Sequence, residues 1–243
     1  MFVGAGTAVN IAAILMGTLL GLLLGKRFRD ETRDLITQAM GFITLIAAAD
    51  ALSQFWRDDF QRAFNDGVPI LVILASLVMG GLVGSALRIE QRIESLGTAL
   101  KTKFAVRGNP RFVEGFIASS ILFVVGPMAI LGSLSDGLGT GIELLVLKST
   151  LDFFITIAFT ASFGWSVGLS VLPVAIYQLS WTFIGFSLGE VLTQTQVISL
   201  TVVGGTLLVG ISLFTLGIKR IAIGNLLPAL VVAPIVAGLL ATT

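Results

Sequence analysis

Long apolar runs recur along the chain, separated by short polar breaks. They fall at about 4–25, 35–54, 67–87, 112–133, 141–164, 168–189, 195–217 and 222–241. As helices of about 20 residues, each reaches across a hydrocarbon core roughly 30 Å thick. The pattern therefore predicts an all-α, polytopic membrane protein of about eight transmembrane helices. In the one long polar stretch, 88–111, Ile89, Ile93, Leu96, Leu100 and Phe104 recur every three or four residues with charges between them. That spacing predicts an amphipathic helix on the headgroups. A basic connector that only fixes topology is the plainer reading.

Two parts of the pattern resemble each other. "FVGAGTAVNIAAILMG" opens the first span and "FVEGFIASSILFVVG" the fourth, matching at Phe2/Phe112, Val3/Val113, Ala8/Ala118 and Ile11/Ile121. Further on, Gly84/Gly185 and Leu87/Leu188 align. The first span and the fourth cross in opposite directions, so two three-helix repeats, 1–87 and 112–190, would be inverted, with the 88–111 helix between them. A helix pair over 195–243 would complete the single transmembrane domain. Inverted repeats are a common plan of secondary transporters.

Composition agrees with a membrane solvent: of 243 residues, 55% are hydrophobic and 12% charged, and the mean hydropathy is +0.99. A soluble domain carries about 25% charged residues. The chain has no histidine and no cysteine. This excludes disulfides, thiolate chemistry, the usual zinc and haem sites and a histidine proton switch. Without a Walker or Rossmann motif or a carboxylate cluster, it points away from an enzyme, a cofactor protein, a nucleic-acid binder and an ATP-driven pump.

The placement of charge is more telling than its sum. Lys26, Arg27, Arg29 and Arg33 follow the first span; Arg88, Arg92, Lys101, Lys103, Arg107 and Arg111 follow the third; Lys219 and Arg220 follow the seventh. The other side holds only Arg57 and Arg62, among Asp58, Asp59 and Asp66. Basic loops are cytoplasmic, so both termini are expected outside. No basic residue precedes the first span and "KRFR" follows it, which fits a retained span rather than a cleaved leader.

Polar residues inside the spans are the candidate chemistry. In "GIELLVLKSTLDFF", Lys148 and Asp152 share one helix face, with Thr156 a turn further on. Lys148 would lie roughly 6 Å outward of Asp152. A charge at the bilayer centre costs about 2.5–3.5 kcal/mol on insertion scales, and such residues mark ion or solute sites by default. Gln178 and Tyr177 in the sixth span, Asn10 in the first and Ser76 in the third lie at similar depth. The plainer readings are a Lys–Asp pair that locks packing, amides that join helices, and hydroxyls that bond their own backbone. Glu143 is expected at the outer interface. Pro127, Pro173, Pro228 and Pro234 each free a backbone carbonyl within the membrane.

"GTAVNIAAILMGTLLGLLLGKR", "LKSTLDFFITIAFTASFGWSVGLSVLPVAIYQ" and "GIKRIAIGNLLPALVVAPIVA" resemble the YqgA/YdfK-type bacterial membrane proteins, a family of unknown function. The resemblance implies the bacterial inner membrane and names no substrate. On the residues themselves, the expected function is a small secondary transporter or exporter of an ion or small polar solute. Asp152 would take up a proton or cation and Lys148 would be its partner or an anion ligand. Asn10, Ser76, Tyr177 and Gln178 would donate or accept hydrogen bonds, with no metal. The alternatives are a membrane scaffold or sensor with a structural Lys–Asp pair, and a passive channel. The expected partners are the bilayer and a small solute or ion, and a homo-oligomer is compatible with the sequence.

Overall fold

Apolar runs bounded by glycine, proline and charge become helices here, because in lipid only internal hydrogen bonds satisfy the backbone. The computed structural model describes residues 2–25, 29–65, 67–103, 111–124, 127–188 and 192–241. Lys26, Arg27, Asp66, Phe104, Arg107 and Gly126 lie outside the described residues, as do the side chains of Arg33, Leu96, Leu100, Lys101, Lys103, Pro127 and Leu188. Among those described there is no strand, and the α-helices are α1 (Ala5–Gly25), α2 (Asp30–Ser53), α3 (Asp58–Arg62), α4 (Val68–Ala86), α5 (Ile89–Lys103), α6 (Phe112–Val124), α7 (Pro127–Leu138), α8 (Glu143–Phe163), α9 (Val171–Leu188), α10 (Gln194–Thr215) and α11 (Ala229–Leu240). Short 3₁₀ turns at Trp165–Ser170 and Ile223–Leu226 lead into α9 and α11.

Six of these segments are long and apolar enough to cross a membrane, and the α6–α7 pair makes a seventh if it counts as one span. The sequence predicts eight, and the two differences have local causes. The expected fourth span, 112–133, is two helices bent by 58°. Pro127 heads the second of them, where its missing N–H breaks the ladder. The expected second span is helical, but its apolar part is only Gly41–Trp56. At 1.5 Å per residue that part covers about 24 Å, because Thr37 and Gln38 dilute its start. Pro173 interrupts nothing: it stands in the first turn of α9, where its amide would lack a partner in any case. Leu23, Phe154, Ile176 and Leu239 stay largely exposed, as apolar side chains do when lipid is the solvent.

The chain divides into two compact units, Met1–Met40 with Glu94–Val191, and Gly41–Ile93 with Leu192–Thr243. The first joins α1 to α6–α9 and the second joins α4 to α10 and α11. Neither follows the boundaries of a sequence repeat.

In the first unit α1 lies parallel to α8. Gly6 meets Leu145, Gly17 meets Phe153 and Thr156, Gly21 meets Ile157 and Thr160, and Gly25 meets Ala161. A Cβ at Gly17 would stand 2.7 Å from the Phe153 carbonyl oxygen, and one at Gly21 would stand 2.6 Å from that of Ile157. The Gly-x3-Gly-x3-Gly run of α1 is therefore a backbone contact surface of the kind small residues make in membranes. α7 and α9 cross closely at small residues, with Gly137 on the Thr182 carbonyl and Gly185 on that of Leu134.

In the second unit α4 crosses the turn into α11, with Gly80 against Ala229 and Gly84 against Asn225. The Gly-Asn-Leu-Leu-Pro motif forms a clasp on the start of α5. The Glu90 N–H donates to the Asn225 side-chain oxygen at 2.9 Å, and the Gly224 N–H donates to the Glu90 carboxylate at 2.7 Å. Gln196 completes a capping box with Thr193 and donates to the Pro234 carbonyl at 3.0 Å. Arg57 and Arg62 pair with Asp59 and Asp58, and the hydrogen bond from Arg57 holds the Asp59 carboxyl below the usual carboxylate range. The two basic residues of this segment are thus matched by acids.

A buried ion pair and a polar stripe

Lys148 and Asp152 face the interior of the first unit, at 6% and 5% exposure. One turn apart on α8, they form a direct ion pair. The Lys148 ammonium also lies 5.8 Å from the centre of the Phe123 ring on α6, a cation–π distance. The same face of α8 continues with Thr156 and Thr160, both fully buried. Four-residue steps keep all four side chains in one slowly turning stripe.

Two groups of hydroxyls stand out. Ser76, Ser119, Ser120, Ser149, Thr18 and Thr215 donate back to the carbonyl four residues earlier, as the plainer sequence reading holds. Thr7, Ser133, Thr156, Thr160, Ser166 and Thr182 are buried without any partner, and so are both amide atoms of Asn10 and of Gln178. A buried polar group left unpaired costs about 1–3 kcal/mol. Among the described residues, every such side chain falls in the first unit.

The sequence-predicted residues thus separate. Lys148, Asp152, Asn10, Tyr177 and Gln178 belong to the first unit; Ser76 belongs to the second, where Val72 satisfies its hydroxyl at 2.6 Å. The α1–α8 register sets Asn10 between Gly6, opposite Leu145, and Gly17, opposite Phe153, at about the level of Lys148. Gln178 lies nearer the start of α1, since its neighbour Leu179 touches Gly4. Tyr177 is edge-on to Trp181, with ring centres 6.4 Å apart. Glu143 is exposed, as expected.

The sequence reading missed Asp136. It lies in "SLSDGLG", where two glycines just after a charge suggest an external loop. Instead it sits in α7 at 3% exposure, and its two carboxylate oxygens accept the Gly4 and Gly6 N–H groups at 3.2 and 3.0 Å. It therefore caps the start of α1, where free amides and the helix dipole favour negative charge. The available signal was Ser133 three residues earlier, which gives α7 a polar face.

Long apolar helices, lipid-type exposed faces and a buried ion pair define a multi-pass, all-helical membrane protein. A family model described as a protein of unknown function (DUF554) matches residues 5–238, and the chain belongs to that family. It is 29% identical over 231 residues to the "Uncharacterized membrane protein YdfK" of Bacillus subtilis (strain 168), covering 95% of this chain and 94% of that one. It is 26% identical over 239 residues to the "Uncharacterized protein YqgA" of Escherichia coli (strain K12), covering 94% of each. No solved structure matches.

Proposed function

We propose that this protein is a non-enzymatic secondary transporter or exporter of an ion or small polar solute in the bacterial inner membrane, with its path along the polar stripe of the first unit. The observation that carries the reading is the continuation of the Lys148–Asp152 pair into buried side chains without partners, in that unit alone among the described residues. A helix whose only task is packing would place valine where Thr156 and Thr160 stand. The unpaired hydroxyls suit groups that bond to something passing. An enclosed pair fits a carrier between its two exposed states, and the inverted repeat of 1–87 and 112–190 belongs to the same reading.

Purified protein in liposomes should move a small solute or ion in proportion to an imposed pH gradient. Thr156→Val, which removes a hydroxyl and keeps the shape, should lower that flux several-fold without lowering the yield of folded protein. Flux indifferent to the gradient would rule out proton coupling and leave a passive channel or another ion. Unchanged flux in Thr156→Val would remove the stripe from the path.

A scaffold or sensor is the second reading. It is favoured by the pair itself, which is enclosed and mutually satisfied, as a packing lock would be. In that case the amphipathic helix α5 is the working surface.

We also propose that both termini lie outside. If α1 and α8 both cross, their parallel packing requires an odd number of crossings between them. Either α2, α4 and the α6–α7 pair all cross, or α4 crosses alone. The second choice puts the 88–111 segment on the side opposite Arg29 and Arg33, against the rule that basic loops stay inside. Eight crossings keep all the basic segments together. A reporter fused after Thr243 should read external and one after Arg92 cytoplasmic; a cytoplasmic C-terminus would refute this arrangement.

A further inference from the structure

We propose that the first unit binds one small monovalent cation at Asp136, where α7 and α9 meet the start of α1. This step stands apart from the transport reading, which centres on Lys148 and Asp152. Asp136, Lys148 and Asp152 are the charged side chains fully buried among the described residues. Two carboxylates and one ammonium leave one negative charge over. The Lys148–Asp152 pair is balanced internally, so the excess belongs to Asp136. The dipole at the start of α1 supplies only about half a charge of compensation.

The surroundings supply oxygen. Thr7 follows Gly6, whose N–H holds the Asp136 carboxylate. Ser133 lies one turn before Asp136 on the same face of α7. Gln178 precedes Leu179, which touches Gly4, and Thr182 lies one turn further along α9, its carbonyl against Gly137. These four side chains are 0–2% exposed and have no hydrogen-bond partner. With the carboxylate they bring hard oxygen donors to the same end of α1, the type that takes hard cations. A proton on Asp136 would restore neutrality but could donate to no more than one of the four, and it would weaken the two backbone hydrogen bonds. A divalent ion would reverse the charge imbalance, with no second free carboxylate to correct it.

Thermal unfolding of the full-length protein in detergent, in lithium, sodium, potassium or N-methylglucamine chloride at fixed ionic strength, tests the proposal without any flux measurement. At least one alkali cation should raise Tm, progressively with concentration, as a ligand of the native state does. Ser133→Ala and Gln178→Leu should each weaken the apparent affinity about tenfold, a loss of roughly 1.4 kcal/mol. Asp136→Asn should abolish the effect, while the Lys148→Met/Asp152→Asn double variant should keep it. If Asp136→Asn does not fold, the Ser133 and Gln178 variants decide. Equal Tm in every cation overturns the site. So does an effect unchanged by Ser133→Ala and Gln178→Leu, or one lost only in the double variant. Failure of transport in liposomes leaves this result untouched.

Discussion

Asp152→Asn is expected to cost about 3–5 kcal/mol of stability, because it strands the Lys148 ammonium in the protein interior. The side chains of the pair are 8% and 7% exposed, and Phe123 covers the ammonium with a ring rather than a second acid. A ring offers about 2 kcal/mol or somewhat more when desolvated, too little to replace a carboxylate. Adding Lys148→Met should restore most of the loss, since an apolar pair of similar volume is often neutral or stabilising. Chemical unfolding in mixed micelles, run on the two single variants and the double, gives the coupling directly. Normal stability of Asp152→Asn would mean that water reaches Lys148, and the enclosed geometry would not be the resting one. The refolded double variant then separates the two functional readings. A transporter should be folded and inactive, with its pH dependence gone, whereas a scaffold should keep its cellular role.

Gly84→Val should remove nearly all folded protein, and Gly80→Val should do almost as much. A Cβ at Gly84 would overlap the Asn225 carbonyl oxygen and stand 2.6 Å from its carbon; one at Gly80 would overlap the backbone of Ala229. Backbone atoms cannot rotate away, so α4 would have to separate from the turn into α11. The Asn225–Glu90 clasp would open with it. Overpacking costs about 1–3 kcal/mol where side chains can yield, and more where they cannot. Gly81→Val on the same helix is the control. Its Cβ would meet only the tip of Leu226 at 3.1 Å, and the expected cost is about 1 kcal/mol or less. Retained yield in membranes and a single size-exclusion peak for Gly84→Val would show that this contact is looser than the structure describes.

Much of the site was legible because lipid makes polarity conspicuous. Lys148 and Asp152 stand out in an apolar run, and helical periodicity alone puts them on one face with Thr156. Asn10 and Gln178 were found for the same reason. Asp136 was not, because a charge beside glycines near the end of a span has the signature of a loop. Its role depends on Gly4 and Gly6, which are more than 100 residues away in the chain. Nor could the sequence tell a hydroxyl that bonds its own helix from one that does not. Ser76 and Thr156 look alike in the sequence, but only Ser76 is satisfied by its own turn.

The sequence by itself determined the solvent, the helical class and the ends of most spans, because each follows from local hydropathy and the need to satisfy the backbone within one segment. α1, α4, α8 and α10 start and stop within two residues of where the apolar runs do. Tertiary structure decided the rest. It bent the expected fourth span at Pro127. It also grouped α1 with α6–α9 and α4 with α10 and α11. Which helices pair depends on where glycines let backbones approach, and that is a property of two distant surfaces together. Gly17 and Gly21 read as generic small residues until Phe153 and Ile157 are found against them. The leftover charge at Asp136 has the same origin: a charge count runs over the whole chain, but burial selects which charges must be balanced.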